Sequence, residues 1–489
     1  MEITIGKFTL ETLTSGMYER PKDIYREYIQ NAADSIDVAI SGKLIKRDAS
    51  KIEIKISKEE KWIKIYDNGT GINSMNAIKY LLDIGRSQKR FTGARGFRGI
   101  GRLAGLAYCK MLSFETTSFG ENKKTIVEFD AKVLCEQMLN ESFDVDLLSL
   151  LKSSVSVRTE TESKNSHYFC VIMSRVVDVD DILDVEKVKQ YLEQVAPVDF
   201  NKLFNWGKIV KSKLRVFGFE PGSYNVAIGN AVNKESLFKS YSDIIISDRL
   251  RKLEDSVAEI DIKEFIFEGG PLAYLWYAKS NFFGTLQDEL IKCIRLRKGN
   301  ILIGDKTTLN HIFKDERFNG WLFGELHVVS DKLIPNARRD ELEKNAAYYS
   351  LIRDLKVWAD GISTEIRKVS NQRNSDKKSQ KIIEFANNQT TAEIETINTV
   401  VVPEVKLAEE TEIDELNHTE LVMALDGLIG IKQSSTKYKA LNIQSHITIE
   451  QKKILEQVFD IICSDKAQNS NILITKIIRE FGIKTVTGI

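Results

Sequence analysis

Cysteine is scarce: 5 of 489 residues, standing apart at Cys109, Cys135, Cys170, Cys293 and Cys463. An odd, scattered set excludes a disulfide framework and fits a reducing, cytoplasmic setting. Histidine is equally scarce, at 5, and has no zinc-ligand spacing to the cysteines, so no zinc site is expected. The sequence has no signal-peptide pattern, and no apolar run reaches the ~18 residues of a transmembrane helix, so no membrane association is expected. Net charge is also missing. The 70 basic residues balance 70 acidic ones, so no global field marks a nucleic-acid binder, though a local basic groove stays open. No internal repeat is visible. What is present is a globular composition, 42% hydrophobic and 29% charged, at a length that calls for two or three domains.

Three motifs follow one another within residues 1–105. The first is a helix over residues 21–37. Ile24, Tyr28, Ala32 and Ile36 recur every four residues after Pro21 and, with Ile29, form an apolar stripe. Glu27, Asn31 and Asp34 fall on another stripe, at steps of four and three. Asn31 offers the hard oxygen that Mg²⁺ accepts beside phosphates and water. Glu27, one turn away, can orient and deprotonate a water attacking a γ-phosphate. An ordinary solvated helix face has the same pattern.

The second motif ends a strand. Ile52, Ile54 and Ile56 alternate with polar residues, and after a charged turn at 58–61 comes Trp62-Ile63-Lys64-Ile65-Tyr66, so two strands are expected. The second strand runs into Asp67-Asn68-Gly69-Thr70-Gly71. A carboxylate at a strand end can accept a hydrogen bond from an exocyclic amine such as adenine N6, and glycines let a base approach the backbone. A plain β-turn uses the same residues.

The third motif is a loop. Six glycines stand between Gly85 and Leu106, centred on Gly96-Phe97-Arg98-Gly99-Ile100-Gly101. Ser87, Lys89, Arg90, Arg95, Arg98 and Arg102 add donors and positive charge. Freed backbone N–H groups leading into a helix N-terminus make an anion cradle, and a loop of this length can close as a lid. A solvated surface loop reads alike. No Gly-Lys-Ser/Thr follows, which excludes a Walker A loop, and the G-x-G-x-x-G dinucleotide spacing is missing.

Together these residues resemble the GHKL, or Bergerat-fold, ATPases: gyrase-type topoisomerases, heat-shock-90 chaperones, histidine kinases, MutL and MORC proteins. The run from Glu27 through Asn31 to Asp34 is similar to the family's Glu-x-x-x-Asn box, residues 67–71 to its D-x-G-x-G adenine motif, and residues 96–101 to its G-x-x-G-x-G phosphate loop. The resemblance covers about residues 1–175 and implies ATP and Mg²⁺ as ligands. It implies Glu27 as the catalytic base, Asn31 as the metal ligand and Asp67 on the adenine. Asp34, Gly69, Gly71, Ser87, Lys89, Gly96, Phe97, Arg98, Gly99, Ile100 and Gly101 would surround the nucleotide. Glu27 argues against a histidine kinase. The family's Gly-Thr pair behind the adenine is replaced here by Ser166-His167.

Residues 290–345 resemble the transducer, or middle domain, of the heat-shock-90-like members, in which a loop sends an arginine to the γ-phosphate. By that resemblance Arg339 is the second catalytic candidate, Arg338 stands where the family has serine, and Lys298 is an alternative sensor. Two cations at the start of a helix near Asp340 would oppose the helix dipole, which a functional role explains.

The expected fold is α/β (α+β). A Bergerat ATPase sandwich, with helices on one face of a mixed sheet, occupies 1–175. An α/β transducer occupies 176–340, opening with a charged linker helix over 178–194. A long helix follows over 341–384, with Leu342, Tyr349, Ile352, Leu355 and Ile362 near heptad spacing. Residues 385–415 read as a linker and 416–489 as a small helical domain. The resemblance implies an ATP-hydrolysing conformational switch acting as a homodimer, with residues 1–15 as an exchanged strap. Three readings of its role stay open. Residues 85–90 resemble MORC-like bacterial ATPases, implying a DNA clamp in prokaryotic antiviral defence with a partner effector protein. A heat-shock-90-like chaperone with protein clients is the second, and a nucleotide-gated scaffold with little hydrolysis is the third.

Overall fold

Isoleucines alternating with polar residues set the first layer. In the computed structural model, which describes residues 20–82, 101–139, 147–247 and 252–397, Ile52–Ser57 (β1) and Trp62–Asp67 (β2) form an antiparallel hairpin with Ile54 opposite Ile65. Every second residue of each strand is buried, as one core-facing side of a pleated sheet requires. Met111–Thr117 (β3), Lys123–Asp130 (β4), Val155–Thr161 (β5) and Tyr168–Ser174 (β6) extend the sheet in the antiparallel order β5-β4-β3-β6-β2-β1. On the other side of β1, Val226–Gly229 (β7) pairs parallel to it and Lys234–Ser236 (β8) closes the edge. The mixed sheet is thus the expected one, but its last two strands come from beyond residue 175.

One helix dominates the covered face. Asp23–Ser41 (α1) buries Ile24, Tyr28, Ile29, Ala32 and Ile36 in one core with Ile54, Ile65, Phe114 and Met173. Ser74–Leu82 (α2), Ala131–Leu139 (α3) and Leu147–Ser154 (α4) follow in the chain. Val185–Val195 (α5) is shorter than the helix expected over 178–194. Its start is fixed by Asp184, whose carboxylate accepts the Lys187 N–H at 3.0 Å as an N-cap. Val188 and Leu192 of α5 enter the same core.

The second layer is a five-stranded sheet. Trp206–Val216 (α6) and a two-stranded ribbon of Ile244–Ser247 (β9) and Leu253–Ser256 (β10) precede it. Glu259–Phe267 (β11), Gly270–Lys279 (β12), Cys293–Lys298 (β13), Ile301–Leu302 (β14) and Phe323–Val328 (β15) then pair in the order β11-β12-β15-β13-β14. β12 is buried from Leu272 to Ala278. Ala273, Leu275 and Tyr277 join a core with Leu351, Leu355 and Ile362 of Ala346–Ile397 (α7), while Tyr274, Trp276 and Ala278 join one with Phe204, Val210 and Leu214. A strand covered on both faces needs no polar alternation.

A buried charge cluster ties the two layers together. Glu325 on β15 is fully buried, with Lys239 Nζ at 2.7 Å, Arg297 Nε at 2.5 Å and His327 Nε2 at 3.0 Å, and it accepts from Tyr241 and Trp276. Arg297 also donates to the Gln194 carbonyl at 2.7 Å, and Arg295 to the Gln194 side chain at 3.1 Å. The end of α5 is thereby fixed to β13.

α7 differs from expectation at both ends. It begins at Ala346, not near Asp340, and runs to Ile397, through the first part of the stretch read as a linker. Its packed face is Tyr348, Leu351, Leu355, Trp358, Ile362 and Ile366, whereas Tyr349 is 60% exposed. Leu355 and Ile362 of the near-heptad line lie in that face and Tyr349 does not, and the helix packs one-sidedly against β12 rather than standing free as a stalk. Among the described residues no helix is long and apolar enough to cross a membrane. Met1–Asn388 form one compact unit and Gln389–Ile489 a second, of which the last turns of α7 are described.

Candidate functional site

The site is organised by α1. Glu27, Asn31 and Ser35 recur at steps of four and so share one face, about 12 Å from first to last along the axis. A solvated face is ruled out: Glu27 is only 6% exposed and Asp34 5%, while Asn31 is half-buried. The helix is held from several sides. Tyr25 donates to the Ile182 carbonyl at 2.6 Å, and Tyr191 donates to Asp23 at 2.8 Å. The Tyr28 hydroxyl accepts the Gly105 N–H and donates to the Arg102 carbonyl, fixing the 3₁₀ segment Gly101–Ala107 at the end of the glycine loop.

The turn after β2 packs on the far end of that face. Asp67 is 4% exposed, and its Oδ1 accepts the Gly69 N–H at 2.9 Å. Asn68 points the other way and pins the turn to the chain before β1, accepting from Lys51 N and donating to the Ala49 carbonyl. Ser35 Oγ accepts the Thr70 N–H at 3.1 Å, and the Ile72 N–H reaches Thr116 Oγ1 at 2.8 Å. Both glycines are sterically required. A methyl on Gly69 would lie 2.1 Å from Ser35 Oγ. One on Gly71, whose φ is +61°, would lie 1.9 Å from the Thr117 carbonyl oxygen. His167 Nδ1 is 2.7 Å from the Gly69 carbonyl oxygen. The imidazole of the residue just before β6 thus braces the turn.

The near end of the face meets the second layer. Residues 335–342 form a tight loop closed by the bridge between Pro335 and Leu342 and braced by Asn336 and Asp340. Arg339 has φ of +56°, a left-handed backbone that side-chain-bearing residues rarely adopt. Its carbonyl accepts the Gly304 N–H at 2.7 Å, and Arg26 Nη2 donates to the Arg338 carbonyl at 3.1 Å. The guanidinium of Arg339 places Nε 3.1 Å from Glu27 Oε1 and donates from Nη1 to Gln30 Oε1. The two arginines therefore do not open a helix. They sit in a loop before α7 that presents Arg339 to the carboxylate marked out as base.

Other expected residues are placed elsewhere or not described. Ser87, Lys89, Gly96, Phe97, Arg98, Gly99 and Ile100 lie outside the described residues, as do residues 1–15 and 416–489. Arg102 is buried, and its Nε donates to the Leu81 carbonyl at the end of α2. Lys298 donates to the Ser330 and Leu333 carbonyls, and burial pushes its ammonium below the usual lysine range.

Residues 27–164 match the family described as histidine kinase-, DNA gyrase B- and HSP90-like ATPase. This stretch is a GHKL, HSP90-like ATPase domain. The chain is also similar to the chaperone protein HtpG of Methylibium petroleiphilum, at 33% identity over 102 residues. That stretch is 20% of this chain and spans only 15% of the chaperone's length.

The residues of the ATPase domain fit ATP and Mg²⁺. Asp67 offers a buried carboxylate beside glycines that leave no room for a side chain, and α1 offers the neutral oxygen of Asn31 one turn from Glu27. Mg²⁺ takes few protein ligands beside phosphate, so one carboxamide is a sufficient handle. Three residues in contact with the site were not singled out in the sequence: Ser35, Gln30 and Gly304. Ser35 was within reach of pattern reasoning, four residues beyond Asn31. Gln30 and Gly304 matter only through the tertiary approach of the Arg339 loop.

Proposed function

We propose that the chain is an ATP-gated conformational switch that binds Mg²⁺-ATP and hydrolyses it to ADP and phosphate. The observation that carries this reading is the meeting of Glu27 and Arg339. A carboxylate from the ATPase domain and a guanidinium from the second layer converge at one end of the face whose other end carries Asp67. Asp67 holds the base edge, and Asn31 would hold Mg²⁺, which neutralises phosphate charge when bound. Glu27 orients the attacking water and takes its proton. Arg339 meets the γ-phosphate and stabilises charge developing there. Arg339 stands on a loop fastened to β14 through Gly304, so its engagement links nucleotide state to the position of the second sheet. ATP drives the switch only by its different affinity for the two arrangements.

The similarity to HtpG favours a chaperone-like role on protein clients over a MORC-like DNA clamp. We further propose that two copies associate in the ATP state. Phosphate release under steady-state conditions tests the core of this reading. Glu27→Ala is expected to lower the rate by at least ~100-fold with ATP binding kept, and Arg339→Ala by a similar factor. Wild-type rates in either variant would contradict it.

A further inference from the structure

Gln30 has no role in the mechanism just given, yet it is 1% exposed and stands in the site. Its Oε1 accepts from Arg339 Nη1. An arginine has no acceptor, so the carboxamide oxygen must face it and the amide nitrogen must face away. That nitrogen is buried and has no hydrogen-bond partner among the described residues. Half of the carboxamide is thus committed to Arg339, and the other half is left unsatisfied, an unfavourable state for a buried amide.

The same guanidinium lies on Glu27 Oε1. A carboxylate oxygen covered by a guanidinium is not open to an attacking water, and an arginine so engaged is not on a phosphate. The contact therefore describes a resting arrangement in which base and arginine occupy each other. Resting on the ATPase reading above, we propose that Gln30 is the positioning residue that parks Arg339 on Glu27 until a γ-phosphate draws the guanidinium away. The switch then senses the third phosphate specifically. ADP, having none, leaves Arg339 parked, while ATP must outcompete Gln30 and Glu27 together.

The test is the ratio of affinities for ADP and the β,γ-imido analogue of ATP. Both are titrated with Mg²⁺ into the full-length protein by calorimetry. Gln30→Leu removes the acceptor at similar volume and is expected to shift the ratio about fivefold to tenfold toward the triphosphate, with ADP affinity kept. Gln30→Glu tightens the parking contact and is expected to shift it the other way. In steady-state hydrolysis Gln30→Leu lowers KM for ATP with kcat retained, whereas a packing defect lowers kcat. In an Arg339→Ala background neither substitution moves the ratio, because the effect runs through that guanidinium. A ratio unchanged in both variants, a shift of the same sign in both, or a shift that survives Arg339→Ala overturns the proposal. If the wild type binds both nucleotides normally, such a result leaves the ATPase reading standing; if it binds neither, both fall.

Discussion

At the residue scale, the site rests on positions where only one side chain fits. Gly71 sits at φ +61° with the Thr117 carbonyl oxygen where its Cβ would be. An alanine there meets a strained backbone and a backbone oxygen that cannot swing aside. Gly71→Ala is expected to cost more than about 2 kcal/mol of stability and to abolish nucleotide binding. Chemical denaturation and a nucleotide titration check both; a variant with unchanged stability would mean the turn is built differently. Arg339 shows the converse case, a side-chain-bearing residue held at positive φ. Its strained backbone is tied by Gly304 and neighboured by Arg26, so the loop that carries it is fixed from both layers.

At the scale of elements, the joint between the layers is electrostatic. Burial pushes the His327 imidazole down to about 4, against the opposing pull of Glu325, while Lys239 is pushed down to about 7. Against its own burial, Glu325 is held well below the carboxylate range by Arg297 and Lys239. A histidine that stays neutral when folded but protonates near 6.5 when unfolded favours unfolding as pH falls between those values. The folded state therefore loses up to about 3 kcal/mol from this group as pH falls from 6.5 to 4. His327→Gln keeps a donor for Glu325 and cannot titrate, so its melting temperature is expected to fall less steeply over that interval. Equal slopes in the two proteins would remove His327 from the account.

The elements also show which parts of the fold could be read from the sequence. α1 and the β1–β2 hairpin were legible because their contacts are local and their periodicity unbroken. β7 was not, because it pairs with β1 across some 170 residues and is four residues long. The start of α7 was misplaced because the 335–342 loop carries helix-like composition but is closed by a bridge. Its end was misplaced because polar Asn, Gln and Thr read as linker, although helix propensity only weakly disfavours them. In the site, the motif residues were legible as types and spacings. That Arg339 reaches Glu27 and Gln30, rather than solvent, depends on two sheets meeting and is not encoded in any short window.

At the scale of the whole molecule, the proposed switch has one requirement: a nucleotide must bind across the face of α1, between the Asp67 turn and the Arg339 loop. The proposed association of two copies in the ATP state and the proposed chaperone-like effect on protein clients both depend on it. The most direct measurement is calorimetric titration of Mg²⁺-ATP into the full-length wild type and Asp67→Asn. Asp67→Asn changes one oxygen to nitrogen, puts a donor where adenine needs an acceptor, and leaves the volume of the turn unchanged. Saturable binding to the wild type and a loss of at least about tenfold in affinity in Asp67→Asn are expected. Undiminished binding in that variant, or no binding to the wild type, would contradict that requirement.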